Sequence, residues 1–286
     1  MDLHERISVV ILTHNREREL RRTLARMTSL PEQPRIVVVD NASIDFTADM
    51  VRKEFPQVQL VHLRENIGAA ARNAGVREAG TPYVAFCDDD TWWAAGSLTK
   101  AVDLLDAHPR VAVLSARVLV GEEGKEDPTC AMMATSPLPA EDLPGPSLLG
   151  FLAGACVVRR QAFLDAGGYE PRFFIGGEEA LLTLDLVTAG WRVIYAHDLT
   201  VYHFPSATRE TSRRERMLLR NALWVAWMRL PLMSALRDTW RICAHCANRQ
   251  VLVSALLGAL RGLPWVCRNR KVIPLDTALL YRILRH

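Results

Sequence analysis

The stretch Tyr83-Val84-Ala85-Phe86-Cys87-Asp88-Asp89-Asp90 passes directly from an apolar, aromatic-containing run to three consecutive carboxylates. The apolar part reads as a buried strand. Acids delivered at its end are hard oxygen ligands of the kind that a divalent cation takes. The rest of the chain is weighed against that reading.

Toward the N-terminus the same strand-to-polar-loop unit recurs. Ile7 to Leu12 is a β-rich run that ends on Thr13-His14-Asn15-Arg16, and Leu20, Leu24 and Met27 then give the span from Glu19 to Met27 the spacing of an amphipathic helix. Ile36 to Val39 ends on Asp40-Asn41-Ala42-Ser43, and a helix from Thr47 to Phe55 follows. Val58 to Leu63 is a third strand, Asn66-Ile67-Gly68 is a turn signal, and an alanine-rich helix from Ala69 to Glu78 leads to Pro82 and the strand of the acids. Strands alternating with helices at this spacing predict an α/β fold with a parallel sheet. Ligands of such sheets bind outside the carboxyl ends of the strands, where Thr13, Asp40, Asn66 and Asp88 to Asp90 all fall. Taken singly, Asp40-Asn41 reads equally well as a turn and Asn66-Ile67-Gly68 as a helix cap. Four polar strand ends at one edge favour a nucleotide site.

Toward the C-terminus a helix is predicted from Ser97 to about Ala107, and a strand from Val111 to Val120. Gly121 to Pro146 is polar, Pro-rich and aperiodic, and reads as a long loop over the site or a mobile insertion. Gly176-Gly177 then opens a mostly buried helix through Leu181, Leu182, Leu184, Leu186 and Val187, which Gly190 stops. Glu178 and Glu179 occupy its first turn. There the helix dipole favours the ionised carboxylate that a general base needs, although acids also decorate helix starts for the dipole alone. Arg192 to Tyr195 returns as a strand and His203 lies beyond it; taken alone, that histidine reads as a polar surface residue.

The composition bounds the whole. With 286 residues, 49% of them hydrophobic, the chain can bury the core of one large α/β domain with an appendage. Phe204 to His286 holds 15 Lys+Arg against 4 Asp+Glu, so residues 1 to 203 hold 20 against 28 of the totals of 35 and 32. An acidic body therefore carries a basic tail. Trp224, Trp227, Trp240 and Trp265 lie among the tail's arginines, a pattern that fits helices lying on an anionic membrane or a helical lobe packed on the body. No nucleic-acid motif accompanies the charge, and no nucleic-acid partner is expected. The N-terminus shows no secretory pattern, and no stretch offers about 18 uncharged apolar residues. The expectation is a cytoplasmic protein with peripheral contact at the inner face of the cell membrane. The six scattered cysteines fit a reducing compartment, and Cys243-Ala244-His245-Cys246, with no second CxxC, reads as reduced cysteines on a helix.

From roughly Ile7 to Asn221 these motifs, in this order, resemble the inverting nucleotide-sugar glycosyltransferases of family 2. That resemblance implies the GT-A fold, a Rossmann-like, mostly parallel sheet flanked by helices, over residues 1–221, with a basic helical region at 222–286. It implies donor contacts from Thr13, Asn15, Arg16, Asp40, Asn66, Gly68, Arg72, Asn73, Asp88 and Asp89. Asp88-Asp89-Asp90 matches the family's D-x-D, so Asp88 and Asp90, with His203, are the implied ligands of Mg2+ or Mn2+. Glu179 falls at the catalytic base, with Glu178, Arg220 and Asn221 on the acceptor side. The chain departs from the pattern in having Glu where the base is usually Asp, a reach longer by one C–C bond of roughly 1.5 Å. Leu181 and Asp185 stand where Asp and Arg are frequent. The implied reaction moves a sugar from a UDP- or dTDP-sugar to a hydroxyl of a glycan or lipid-linked acceptor. A sugar-phosphate nucleotidyltransferase and a non-catalytic sugar-nucleotide-binding scaffold are the rival readings; the first lacks its glycine-rich triphosphate loop here.

Overall fold

The computed structural model describes residues 2–205 and 211–284. In chain order the first elements are α1 (Leu3–Arg6), β1 (Ile7–Thr13), α2 (Glu17–Thr28), β2 (Arg35–Asp40), α3 (Thr47–Glu54) and β3 (Gln59–His62). A 3-10 turn (Gly68–Ala71) then runs into α4 (Arg72–Ala79), followed by β4 (Tyr83–Asp88), β5 (Thr91–Trp93), α5 (Ser97–Ala107) and β6 (Val111–Val120). Next come β7 (Lys125–Glu126), α6 (Pro128–Ala134), β8 (Ala155–Arg159), α7 (Arg160–Asp165), α8 (Glu178–Thr188) and β9 (Arg192–His203). The tail is helical: α9 (Thr211–Arg229), α10 (Leu232–His245), α11 (Arg249–Arg261), α12 (Leu263–Arg268) and α13 (Leu275–Ile283).

The strand order is β3-β2-β1-β4-β8-β6-β9-β5, with β7 paired to β6. The pairs β3–β2, β2–β1 and β1–β4 are parallel, as the alternating pattern predicts. Beyond β4 the sheet is mixed: β8 runs antiparallel to both β4 and β6, β6 and β9 are parallel, and β5 is antiparallel to β9. Ile7, Val9, Val10 and Ile11 of β1 and Val84, Ala85 and Phe86 of β4 are wholly buried, as strands covered on both faces must be. Full burial of each large side chain contributes about 1.5–3 kcal/mol.

Two expectations change. The strands around Tyr195 and His203 are one element, β9, whose register against β6 breaks at Ala116/Arg117; the polar His197-Asp198 interruption is that irregularity. The segment Gly121 to Pro146 is built rather than loose. It holds β7 and α6, whose start Asp127 caps by accepting from the Thr129 backbone N–H at 2.8 Å, and it buries Cys130, Met133 and Leu138. Elements of two and seven residues are too short to show a period.

The tail packs on the body. Phe173, Leu181 and Leu184 share a second apolar cluster with Trp224, Val225, Met228, Leu230, Val266 and Ile273. Arg229, nearly buried, makes a two-point ion pair with Asp185 of α8 (2.5 and 2.9 Å) and donates to the Asn269 carbonyl. Asp185 therefore serves this joint. The boundary expected between residues 221 and 222 falls inside α9, whose first half faces the cleft described below and whose second half anchors the tail. Among the described residues no helix is long and apolar enough to cross a membrane.

Candidate active site

Parallel pairing brings the strand ends together, since Leu12 stands beside Asp88 and Thr13 beside Asp40. They open on a cleft of about 830 Å³. Of the residues expected there, Thr13, Arg16, Asn66, Gly68, Arg72, Asp88, Asp89, Asp90, Glu178, Glu179 and His203 line it. Asp88, at the end of β4, accepts a hydrogen bond from the buried Arg72 guanidinium at the start of α4. The Asp88 carboxylate also lies against Gly154, where an added Cβ would come within 2.3 Å of Oδ2; any side chain there would displace the acid. Asp90 Oδ1 is 3.5 Å from His203 Nε2. That pair is set by backbone register, because Thr91 of β5 stands opposite His203 of β9. Asp89 is buried, with Arg16 4.0 Å away, and desolvation pushes its carboxyl up to about 7 against the pull of Arg16.

The acid pair reaches the cleft on a loop held from two sides. On one side Gly68 adopts φ +66° and approaches Phe174 so closely that a Cβ would sit 1.9 Å from the Phe174 carbonyl oxygen, which accepts the Ala69 N–H at 2.7 Å. On the other side stands α9. The buried Asn221 amide donates to the carbonyls of Phe173 (2.9 Å), Ile175 (3.0 Å) and Gly176 (2.5 Å). Arg220 lies over the Trp224 ring and donates to the carbonyls of Arg172 (3.2 Å) and Phe173 (3.0 Å). The helix then starts with Glu178, which is buried with Oε2 lacking any hydrogen-bond partner among the described residues, and Glu179. Desolvation pushes the Glu179 carboxyl up to about 8, Glu178's charge adds to this, and Arg72 opposes it.

Five expected residues do not line the cleft. Asp40 is wholly buried, accepting the Ser43 N–H at 2.9 Å and facing His62 Nδ1 at 2.9 Å. Asn15 is exposed and its side-chain oxygen accepts the Ile44 N–H of the loop after β2. Asn73 is spent on Tyr169, donating to its carbonyl at 2.8 Å and accepting its N–H at 2.9 Å. Arg220 and Asn221 act on the loop backbone, outside the cleft lining. In each case a sequence motif gives the neighbourhood of a residue and leaves the direction of its side chain open.

Asn41 lines the cleft in place of Asp40. It is buried, donates to Asn66 Oδ1 (2.9 Å) and Gly68 O (3.1 Å), and accepts the Ile67 N–H. Arg213 and Arg214, from the first turn of α9, also line it and bring positive charge to an acid-rich cavity. The basic run Arg213-Arg214 was the signal for them, hidden in a tail that reads as a separate region. Asp88, Asp90 and His203 do not close into a protein-only metal cage, and no group of three His, Cys, Asp or Glu does so among the described residues. Carboxylate oxygens and one imidazole do match what Mg2+ or Mn2+ takes when substrate phosphates complete the shell.

Comparison with known proteins agrees with this geometry. The N-acetylglucosaminyl-diphospho-decaprenol L-rhamnosyltransferase of Mycobacterium tuberculosis is 25% identical over 86% of this chain and 94% of its own length. An uncharacterized glycosyltransferase of Mycobacterium bovis is 32% identical over 66% of this chain and 82% of its own. Among solved structures, Staphylococcus aureus TarS 1-349 in complex with UDP-GlcNAc superposes with a TM-score of 0.63 at 16% identity, covering 96% of this chain and 83% of that one. The mannosyltransferase PcManGT from Pyrobaculum calidifontis, in complex with GDP-Man and Mn2+, does so with a TM-score of 0.59 at 17% identity, over 98% and 86%. Both likenesses give the GT-A fold. The family model for glycosyl transferase family 2 matches residues 8–168, from the first residues of β1 to the glycines after α7, and this chain belongs to that family.

Proposed function

We propose that this enzyme transfers a sugar, with inversion, from a UDP- or dTDP-sugar to a hydroxyl of a glycan or lipid-linked acceptor, working at the inner face of the cell membrane. The observation that carries the reading is the place of Glu179, in the first turn of α8 and in the same cleft as the strand-end acids, where desolvation raises its carboxyl. A base near the working pH is efficient, being both ionised often enough and basic enough. Glu179 takes the proton of the acceptor hydroxyl as its oxygen bonds to the anomeric carbon. The bond from that carbon to the diphosphate breaks, and its electron pair leaves with the diphosphate. One displacement inverts the centre, with no need for a second carboxylate as nucleophile.

Asp88, Asp90 and His203 would hold a divalent cation, which neutralises charge on the leaving diphosphate when bound. Arg213 and Arg214 support the same charge from the opposite element, while Asn41, Asn66 and Thr13 border the nucleoside side. The activity of the rhamnosyltransferase relative and the ligands bound in the two solved structures support a nucleotide-sugar donor and a lipid-linked acceptor in general terms. A donor screen by calorimetry with Mg2+ or Mn2+, followed by transfer assays of Glu179→Gln, tests the reading. The variant is expected to bind donor as the parent does and to lose transfer. Transfer at the parental rate would remove Glu179 from the role of base.

A further inference from the structure

We infer that the outward apolar stripes of α10 and α13 are docking sites for an anionic lipid bilayer. The proposal rests on the membrane location given above and supplies the surface that location requires. Each helix has an inner side packed on the protein: Ala235 and Thr277 are buried, and Trp227 of α9 donates to Thr239 of α10 at 3.0 Å. Each also turns a second apolar stripe outward. On α10 it is Leu232, Leu236 and Trp240, and on α13 it is Leu275, Leu279 and Ile283, both at spacings of four residues. Trp240 is 68% exposed and Leu275 77%.

A helix buried on one side has no folding reason to carry a second apolar stripe at helical spacing; scattered exposed leucines would not fall in register. The inner sides of the two helices are joined where the Tyr281 hydroxyl of α13 donates to Asp238 of α10 at 2.6 Å, which leaves both stripes facing solvent. Charge selects the occupant. The region from Phe204 onward has a formal excess of 11 positive charges, and exposed Arg237 and Arg282 lie on these same two helices. A second copy that met these helices through its own copy of the same helices would bring like charge against like. An anionic bilayer is complementary to it, with phosphates for the arginines and acyl chains for the leucines and Trp240. Neither helix is able to span, so the contact is peripheral.

The test uses the full chain with vesicles of phosphatidylcholine alone and of phosphatidylcholine with phosphatidylglycerol. The protein is expected to sediment with the anionic vesicles, less so as salt rises. The double variant Leu236→Glu with Leu279→Glu should weaken that binding by about tenfold or more, while nucleotide-sugar binding, measured on the same sample, stays unchanged as proof of folding. Charge reversal at Arg237 gives a second, apolar-neutral variant and is expected to weaken binding to anionic vesicles only. Absence of vesicle binding by the parent, or equal binding by the double variant, overturns the inference. So does a concentration-dependent dimer that the double variant abolishes, which assigns the face to a second copy. Failure of donor binding in the parent would instead count against the sugar-transfer reading, since vesicle binding is read without it.

Discussion

Replacing Asn221 tests whether the tail positions the acid pair. Its side-chain amide has two protons and lies 2.5–3.0 Å from three carbonyl oxygens, so at most two full hydrogen bonds form and the third contact shares a proton. Asn221→Ala removes both donors at a wholly buried position and takes the side-chain donor from the Ile175 and Gly176 carbonyls, while the Phe173 carbonyl keeps Arg220 and the Ile175 N–H. Each such loss costs about 1–3 kcal/mol. With partial relaxation toward water, the expected destabilisation is about 2–4 kcal/mol, read as a fall of roughly 4–8 °C in thermal midpoint for a domain of this size. Asn221→Asp is the sharper probe. It preserves shape and the oxygen that accepts from Arg220 Nε at 3.0 Å, yet has nothing to donate. If the staple acts through those donations, Asp does not rescue Ala. Both variants should lose kcat for transfer while donor affinity stays near the parental value, since the sheet residues on the donor side are untouched. An Asn221→Asp protein with parental midpoint and parental kcat would refute the reasoning.

Other outcomes follow from the same geometry. Glu178's negative charge holds the neighbouring Glu179 carboxyl up; kcat/KM for the donor, which reports free-enzyme ionisations, is therefore expected to rise with pH through about 8. Glu178→Gln should move that limb to lower pH, and an unmoved limb would show that the two acids do not interact. Gly68→Ala forces a Cβ into the Phe174 carbonyl at a positive φ and should reduce both stability and transfer; parental values of both would discount that close approach. Asp90→Ala is expected to abolish the dependence of donor binding on Mg2+ or Mn2+ in calorimetry, and unchanged metal dependence would exclude it as a ligand.

The parallel half of the sheet was legible because its strands are apolar runs separated by helices with clear spacing. Asp88, Asp90 and Glu179 were legible because strand ends and helix starts place their side chains almost automatically. Legibility failed where side-chain direction decides. Asp40 and Asn41 are adjacent and both polar, and only the packing of His62 and Ser43 against Asp40 turns Asn41 into the cleft. Asn73 follows Arg72 in the expected motif, but the Tyr169 backbone claims it. α6 was missed for its brevity. α10 and α13 were missed because apolar residues on two sides of a helix blur the single-faced pattern by which amphipathic helices are recognised.

The pairing of β5 with β9 has a consequence for how such an enzyme changes over time. The distance between Asp90 and His203 is set by interstrand hydrogen bonds, so it shifts only if the ladder shifts, and a ladder moves in whole registers. Glu178 and Glu179 hang from a loop whose position α9 dictates from far along the chain. Substitutions in α9 can therefore re-aim the acid pair while the strand-end groups keep their spacing. The strand-end acids are thus held by the sheet and the acid pair by α9, two parts of the chain that mutate independently.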